Sequence, residues 1–172
     1  MRVIKIYLET TMFNYYFDAD RDAHADTVTL FDECAEGKFE PYTSDYVLEE
    51  LDCASDEKRD KMIALIEKYR IAVLSASDEV KELADRYISD GALPQGSRID
   101  AQHIAAATVA ELDIIVSLNF RHIVRPKTIE LTGAINKILG YNTIQILSPM
   151  EVIDSEKTRY HLGRNSCDSS QD

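Results

Sequence analysis

The segment Val3-Ile4-Lys5-Ile6-Tyr7-Leu8-Glu9-Thr10-Thr11 decides the fold. Its first six residues are rich in β-branched and aromatic side chains and read as a buried strand. Glu9-Thr10-Thr11 then opens a helical stretch through Phe17. Working outward, apolar residues at helical spacing across 21–36 stop at Gly37, and Phe39–Thr43 is a short strand. Ser44 is placed as the N-cap of a helix carrying Val47, Leu48 and Leu51. A helix over 56–69, a strand over Ile71–Leu74 and a helix from Asp78 towards Ser89 follow. The stretch from Gly91 to Gly96 around Pro94 is a loop. Beyond it come an alanine-rich helix over Ile99–Glu111 and a strand over Asp113–Ser117. Last are a long helix over 127–139 ended by Gly140 and a strand over Thr143–Leu147. Strands separated by helices pair in parallel with helices on both faces. The expected fold class is therefore α/β, a three-layer α/β/α arrangement with a five-stranded parallel sheet.

Bulk properties agree with one domain. The chain has 172 residues, 45% hydrophobic and 29% charged, enough to bury a core of its own. The domain is expected over residues 1–153. From Asp154 to Asp172 the composition turns polar, which predicts a loosely held tail. Apolar runs such as Ile104–Ala107 and Ile114–Val116 are too short to span a bilayer, and residues 1–8 lack the apolar core of a signal peptide. A cytoplasmic protein with no membrane partner is expected. Three cysteines, Cys34, Cys53 and Cys167, stand at wide and irregular spacing. That pattern indicates neither a disulfide framework nor a structural zinc. Cys34 and Cys53 are expected to be buried or half-buried in helices.

Ligands of an open parallel sheet bind outside the carboxyl ends of its strands. Glu9 stands directly after the first strand, and Asn119 two residues past the fourth. Glu50 rides one neighbouring helix, and Asp100 begins another. If strands one and four are adjacent, these side chains converge. Crowded carboxylates repel one another and call for a cation, and oxygen ligands without His or Cys select Mg²⁺ or Mn²⁺. Such an ion suits phosphodiester hydrolysis. Each residue taken alone has a plainer role. Asp100 could cap its helix, Glu9 could cap the helix after the strand, and Glu49 and Glu50 could be solvated.

Four segments taken in order give this pattern a family. Ile6-Tyr7-Leu8-Glu9-Thr10-Thr11-Met12-Phe13-Asn14 resembles the opening signature of the PIN domain, a strand ending in an acid followed by Thr or Ser. Tyr42-Thr43-Ser44 with Val47-Leu48-Glu49-Glu50-Leu51 is similar to its second motif. Asp100-Ala101-Gln102-His103-Ile104-Ala105-Ala106-Ala107 resembles its third, and Ile115-Val116-Ser117-Leu118-Asn119-Phe120-Arg121-His122-Ile123 its fourth. The resemblance runs from residue 3 to about 153. It implies a metal-dependent nuclease acting frequently on RNA, many bacterial members being toxins paired with a small antitoxin. By the same resemblance Glu9, Glu50 and Asp100 hold Mg²⁺ or Mn²⁺, Asn119 takes the fourth place, and Ser117 supplies the hydroxyl that orients it. Two positions depart from the family pattern. Glu9 is one methylene longer than the usual Asp, and Asn119 is neutral where Asp is common, which weakens any second metal.

The remaining candidates are secondary. Arg121, His122, Arg125 and Lys127 form one dense basic run after Asn119, able to hold a phosphate of RNA or to stay solvated. His103 lies one turn beyond Asp100 and reads first as a packed helix residue. Tyr15 and Tyr16 read as packing rather than base stacking. His24 and His161 show no partners that suggest ligation. A net charge of −12, from 19 basic and 31 acidic residues, predicts modest affinity for RNA. An antitoxin and a second copy in a homodimer are the protein partners to expect. The alternative is a non-catalytic PIN-like module that binds protein or RNA. A nucleotide-binding α/β protein is disfavoured, because this chain has no glycine-rich loop after its first strand.

Overall fold

The structure is a computed structural model that describes residues 2–154. Its elements are β1 (Ile4–Leu8), α1 (Thr10–Phe17), α2 (His24–Ala35), β2 (Phe39–Ser44), α3 (Asp45–Asp52) and α4 (Asp56–Lys68). They continue with β3 (Ala72–Leu74), α5 (Asp78–Ser89), α6 (Arg98–Val109), β4 (Ile114–Val116), α7 (Pro126–Leu139) and β5 (Gln145–Leu147). A short helical turn over 149–154 closes the described chain. All five strands pair in parallel, in the order β3-β2-β1-β4-β5. The expected α/β class and five-stranded sheet are as read from the sequence. The polar stretch, with Cys167 and His161, lies outside the described residues from 155 onward.

β1 sits at the centre, where both of its faces must be covered, and its side chains alternate accordingly. Tyr7 points into one core layer with Ile115, Ile146, Leu83, Tyr87 and Ile104, under α5, α6 and α7. Ile6 and Leu8 point into the other with Val116, Phe13, Phe31, Met62 and Val152, under α1, α2 and α4. α6 is buried on most of its circumference, and its Ala101, Ala105, Ala106 and Ala107 let it lie close to the sheet. That close seating brings the first turn of α6 to the strand ends. Gly140, at φ 82°, ends α7 in the left-handed conformation that the sequence anticipates for it.

Two expectations are corrected here. Cys34 is buried, but Cys53 is exposed. α3 ends at Asp52, and Cys53 is its C-cap at the surface turn leading to α4. Asp100 is not a cap either. α6 begins at Arg98 with Ser97 as N-cap, so Asp100 stands third in the first turn, its carboxylate accepting a hydrogen bond from the Ser97 side chain.

Candidate metal and nuclease site

The strand order reverses direction at β1: the chain leaves it on one side through β2 and β3 and returns on the other through β4 and β5. The crevice at such a reversal is where open α/β sheets bind ligands. Glu9 and Ser117 flank it, each directly following its strand.

Glu9 is 3% exposed. It serves as N-cap of α1, accepting from Thr11 N at 3.2 Å, so the plain capping role is real. The Thr11 hydroxyl also donates to it, as does Ser117 Oγ at 2.7 Å. All three bonds fall on Oε2. Burial raises the Glu9 pKa, and His103, Thr11 and Ser117 only partly oppose that rise.

Ser117 is fully buried and links Glu9 to Asn119. It gives its proton to Glu9 and accepts from the backbone N–H of Asn119 at 3.0 Å. It therefore positions Asn119 through the main chain and not through the amide, as the resemblance had implied. The Asn119 side chain donates from Nδ2 to Asp100 Oδ1 at 3.0 Å and accepts from His122 N at 3.1 Å. A continuous chain thus runs Glu9–Ser117–Asn119–Asp100. Burial also raises the pKa of Asp100, with Glu50 adding to the rise, while His103 and His122 oppose it.

Glu50 joins from α3. Its neighbour Glu49 is exposed, whereas Glu50 Oε1 accepts from Thr10 Oγ1 at 2.6 Å and pairs with His103 Nε2 at 2.6 Å. Burial pushes its pKa up, but the His103 bond and charge, with Thr10, outweigh burial and leave it lowered.

His103 is the residue whose importance the sequence hid. It is fully buried, as a packed helix residue should be, yet both ring nitrogens are engaged: Nε2 with Glu50 and Nδ1 with Tyr7 Oη at 2.6 Å. The available signal was its position three residues after Asp100, which puts the two on one helix face.

The basic run stands partly elsewhere. Arg125 and Lys127 line a groove of about 440 Å³ with Ile88 and the 89–95 loop, and Arg121 is exposed. His122 stays close to Asp100, and its Nδ1 is buried without a partner among the described residues. Tyr16 packs edge-on against Phe31 and Tyr69, and Tyr15 lies under Arg21, as the packing reading expects. His24 is spent on the Tyr15 carbonyl.

Among the described residues, no three His, Cys, Asp or Glu side chains lie close enough to enclose one ion as they stand. The donor set nevertheless fits a hard cation. Glu9 and Glu50 are each anchored through one oxygen, and none of these bonds uses the other. Burial makes ionised Glu9 and Asp100 costly without a compensating positive charge.

Two solved structures share this architecture. VapC20 of Mycobacterium tuberculosis, described as a sarcin-ricin loop cleaving toxin, matches with a TM-score of 0.51 at 16% identity, over 64% of this chain and 86% of its own. VapBC2 of Rickettsia felis, solved with a DNA fragment from their promoter, matches with a TM-score of 0.53 at 14% identity, over 84% of this chain and 98% of that chain. This is the PIN fold. At such identities the likeness is one of architecture. No family model matches the chain, and neither does any curated protein. No helix among the described residues of this PIN-fold chain is long and apolar enough to cross a membrane.

Proposed function

We propose that this chain is a metal-dependent endoribonuclease that hydrolyses RNA phosphodiester bonds. The observation that carries the reading is the hydrogen-bonded chain Glu9–Ser117–Asn119–Asp100 across the β1/β4 crevice, with Glu50 anchored on the helix that bears Asp100. Glu9, Glu50 and Asp100 are the residues that would hold Mg²⁺ or Mn²⁺. When bound, such an ion activates water and neutralises charge on the phosphate. Asn119 has a second amide hydrogen beyond the one given to Asp100, available to a non-bridging phosphate oxygen. Arg121, Arg125 and Lys127 would meet the flanking RNA backbone.

The toxin named in one structural neighbour supports RNA as the substrate and makes a small antitoxin protein the partner to seek, and a homodimer is the assembly to test. Metal-free protein incubated with single-stranded and structured RNAs should cut only after Mn²⁺ is added, and Asp100→Asn should abolish cutting. Cleavage at wild-type rate by Asp100→Asn would sink the carboxylate mechanism. A second reading, a non-catalytic PIN-like module, is favoured by the neutral Asn119 and by the His103 bond on Glu50. Calorimetric titration with Mn²⁺ separates the two, because the module has no use for an ion at these acids.

A further inference from the structure

We propose that Phe120 is a stacking platform for an unpaired nucleobase beside the scissile phosphate, so that the site takes single-stranded RNA and not a closed duplex. The inference rests on the nuclease reading for the nature of the substrate and narrows it.

The chain has five phenylalanines. Phe13, Phe31 and Phe39 are buried, and Phe17 packs edge-on against Tyr16. Phe120 is 58% exposed and meets no other aromatic ring among the described residues. A lone apolar side chain at a surface is ordinary; what marks Phe120 is how its backbone is held. Asn119 closes the turn that carries it. The Asn119 carbonyl accepts from Ile123 N at 3.0 Å and from Val124 N at 2.9 Å, and its side chain accepts from His122 N at 3.1 Å. Phe120 N itself donates to Leu118 O at 3.1 Å. The same Asn119 side chain donates to Asp100 in the crevice. The ring is thus open to solvent on a pinned backbone, and its Cα stands about 3.8 Å from that of a site residue.

Charge around the ring says what would cover it. Residues 120–129 include Arg121, Arg125 and Lys127 and no carboxylate, in a chain of formal charge −12. None of these three has a salt-bridge partner among the described residues, whereas Arg2, Arg21, Arg86 and Arg98 are each paired with an aspartate. Free cations that can take phosphates and an open ring that can take a base are the two components by which proteins hold single strands. An apolar protein surface could cover the ring, but it would leave the three cations unmatched. Every unstacked base has a free π face, while in a duplex the neighbouring pairs cover it. A ring next to the cut therefore selects an unpaired base without reading which base it is.

The test is fluorescence anisotropy of the full chain with a short single-stranded RNA and a fully paired RNA of equal length, in chelator so that neither is cut. Wild type should bind the single strand more tightly. Phe120→Ala should weaken that binding by about 5- to 100-fold and change duplex binding little. It removes no charge, so the salt slope should stay as in wild type, whereas Arg121→Gln should make the slope shallower. Phe120→Trp keeps a π face and should retain single-strand affinity. Because the ring is exposed, the thermal midpoint of Phe120→Ala should match wild type, which separates lost stacking from lost folding. Ile138→Ala, at the exposed end of α7, is the control for a lost surface apolar group and should bind as wild type. Wild-type affinity in Phe120→Ala, or an equal loss on both RNAs, overturns the proposal and leaves the ring to a protein contact. A Phe120→Trp no better than Phe120→Ala, an Ile138→Ala as weak as either, or a wild type that binds no RNA also overturns it. If the single-strand preference depends on Phe120 but Mn²⁺ never brings cutting, the platform stands and the nuclease reading fails.

Discussion

At the scale of single residues, the site acids are held in opposite electrostatic states, and this has a readable sign. Glu9 and Asp100 have pKa values raised by burial, so the folded protein binds their protons more readily than the unfolded chain does. Their ionisation therefore costs stability at neutral pH, and the cost is relieved as pH falls through the raised values. Glu50 is lowered, so its contribution is favourable above the ordinary carboxylate range and is lost as pH falls through the lowered value. In metal-free buffer at pH 7, Asp100→Asn should raise the thermal midpoint, with an advantage over wild type that shrinks on acidification. Glu50→Gln should lower it. Saturating Mn²⁺ should then reverse the first order, since an ion at 100 times its Kd adds about 2.7 kcal/mol to wild type alone. An Asp100→Asn midpoint below wild type in metal-free buffer would mean that the Asn119 bond and the histidines outweigh burial. Asn119→Asp tests the same balance from the other side. It replaces the amide donor facing Asp100 with a like charge, so metal-free stability should drop while Mn²⁺ affinity rises. Unchanged affinity would place residue 119 outside the ion's reach.

At the scale of elements, most of the fold was legible because strands and helices announce themselves by period and punctuation. Ser44 reads as an N-cap from its place before an apolar helical pattern, and its side chain does accept from Tyr46 N. Gly37 and Gly140 both take positive φ just past their helices. What the pattern could not supply was side-chain direction. Glu49 and Glu50 are indistinguishable in sequence, and only the seating of α3 turns Glu50 towards His103 while Glu49 faces water. His103 was undervalued for the same reason, because its partners come from β1 and α3, elements far from it in the chain. The caps offer a comparison of like with like. Ser44→Ala and Ser77→Ala each remove a side-chain cap, of α3 and α5 respectively, and should each cost about 1 kcal/mol. Ser44→Ala also removes a hydrogen-bond partner of Tyr7, whose hydroxyl meets the His103 ring that bonds Glu50, so it should impair Mn²⁺-dependent cleavage as well, whereas Ser77→Ala should leave cleavage at wild-type rate. Denaturant melts paired with cleavage assays read both effects. Equal cleavage by the two variants would confine Ser44 to capping.

At the scale of the whole molecule, strand order and net charge together say how RNA would be held. The order β3-β2-β1-β4-β5 gathers every site element at one crevice, and that adjacency of β1 and β4 was the condition on which convergence of the acids depended. The same chain carries a formal charge of −12, so the chain as a whole offers a polyanion little general attraction. On the proposed reading, binding would come from the divalent ion and the few cations near Asn119 and not from a broad basic face. The salt dependence of affinity counts the phosphates that protein cations neutralise, with a slope near −0.7 per phosphate for single strands. A protein bound through one ion and two or three cations should show a shallow slope, of magnitude about 2 or less, and weak affinity when the divalent ion is chelated. Fluorescence anisotropy with a short single-stranded RNA, using Asp100→Asn to prevent cutting in a parallel arm, measures both across a salt series. Chelator should weaken wild-type binding, and it should change little in Asp100→Asn, whose site is already impaired. Tight, chelator-insensitive binding with a steep slope would mean that RNA sits on a cationic surface away from the crevice, with the groove beside Arg125 and Lys127 as the place to look.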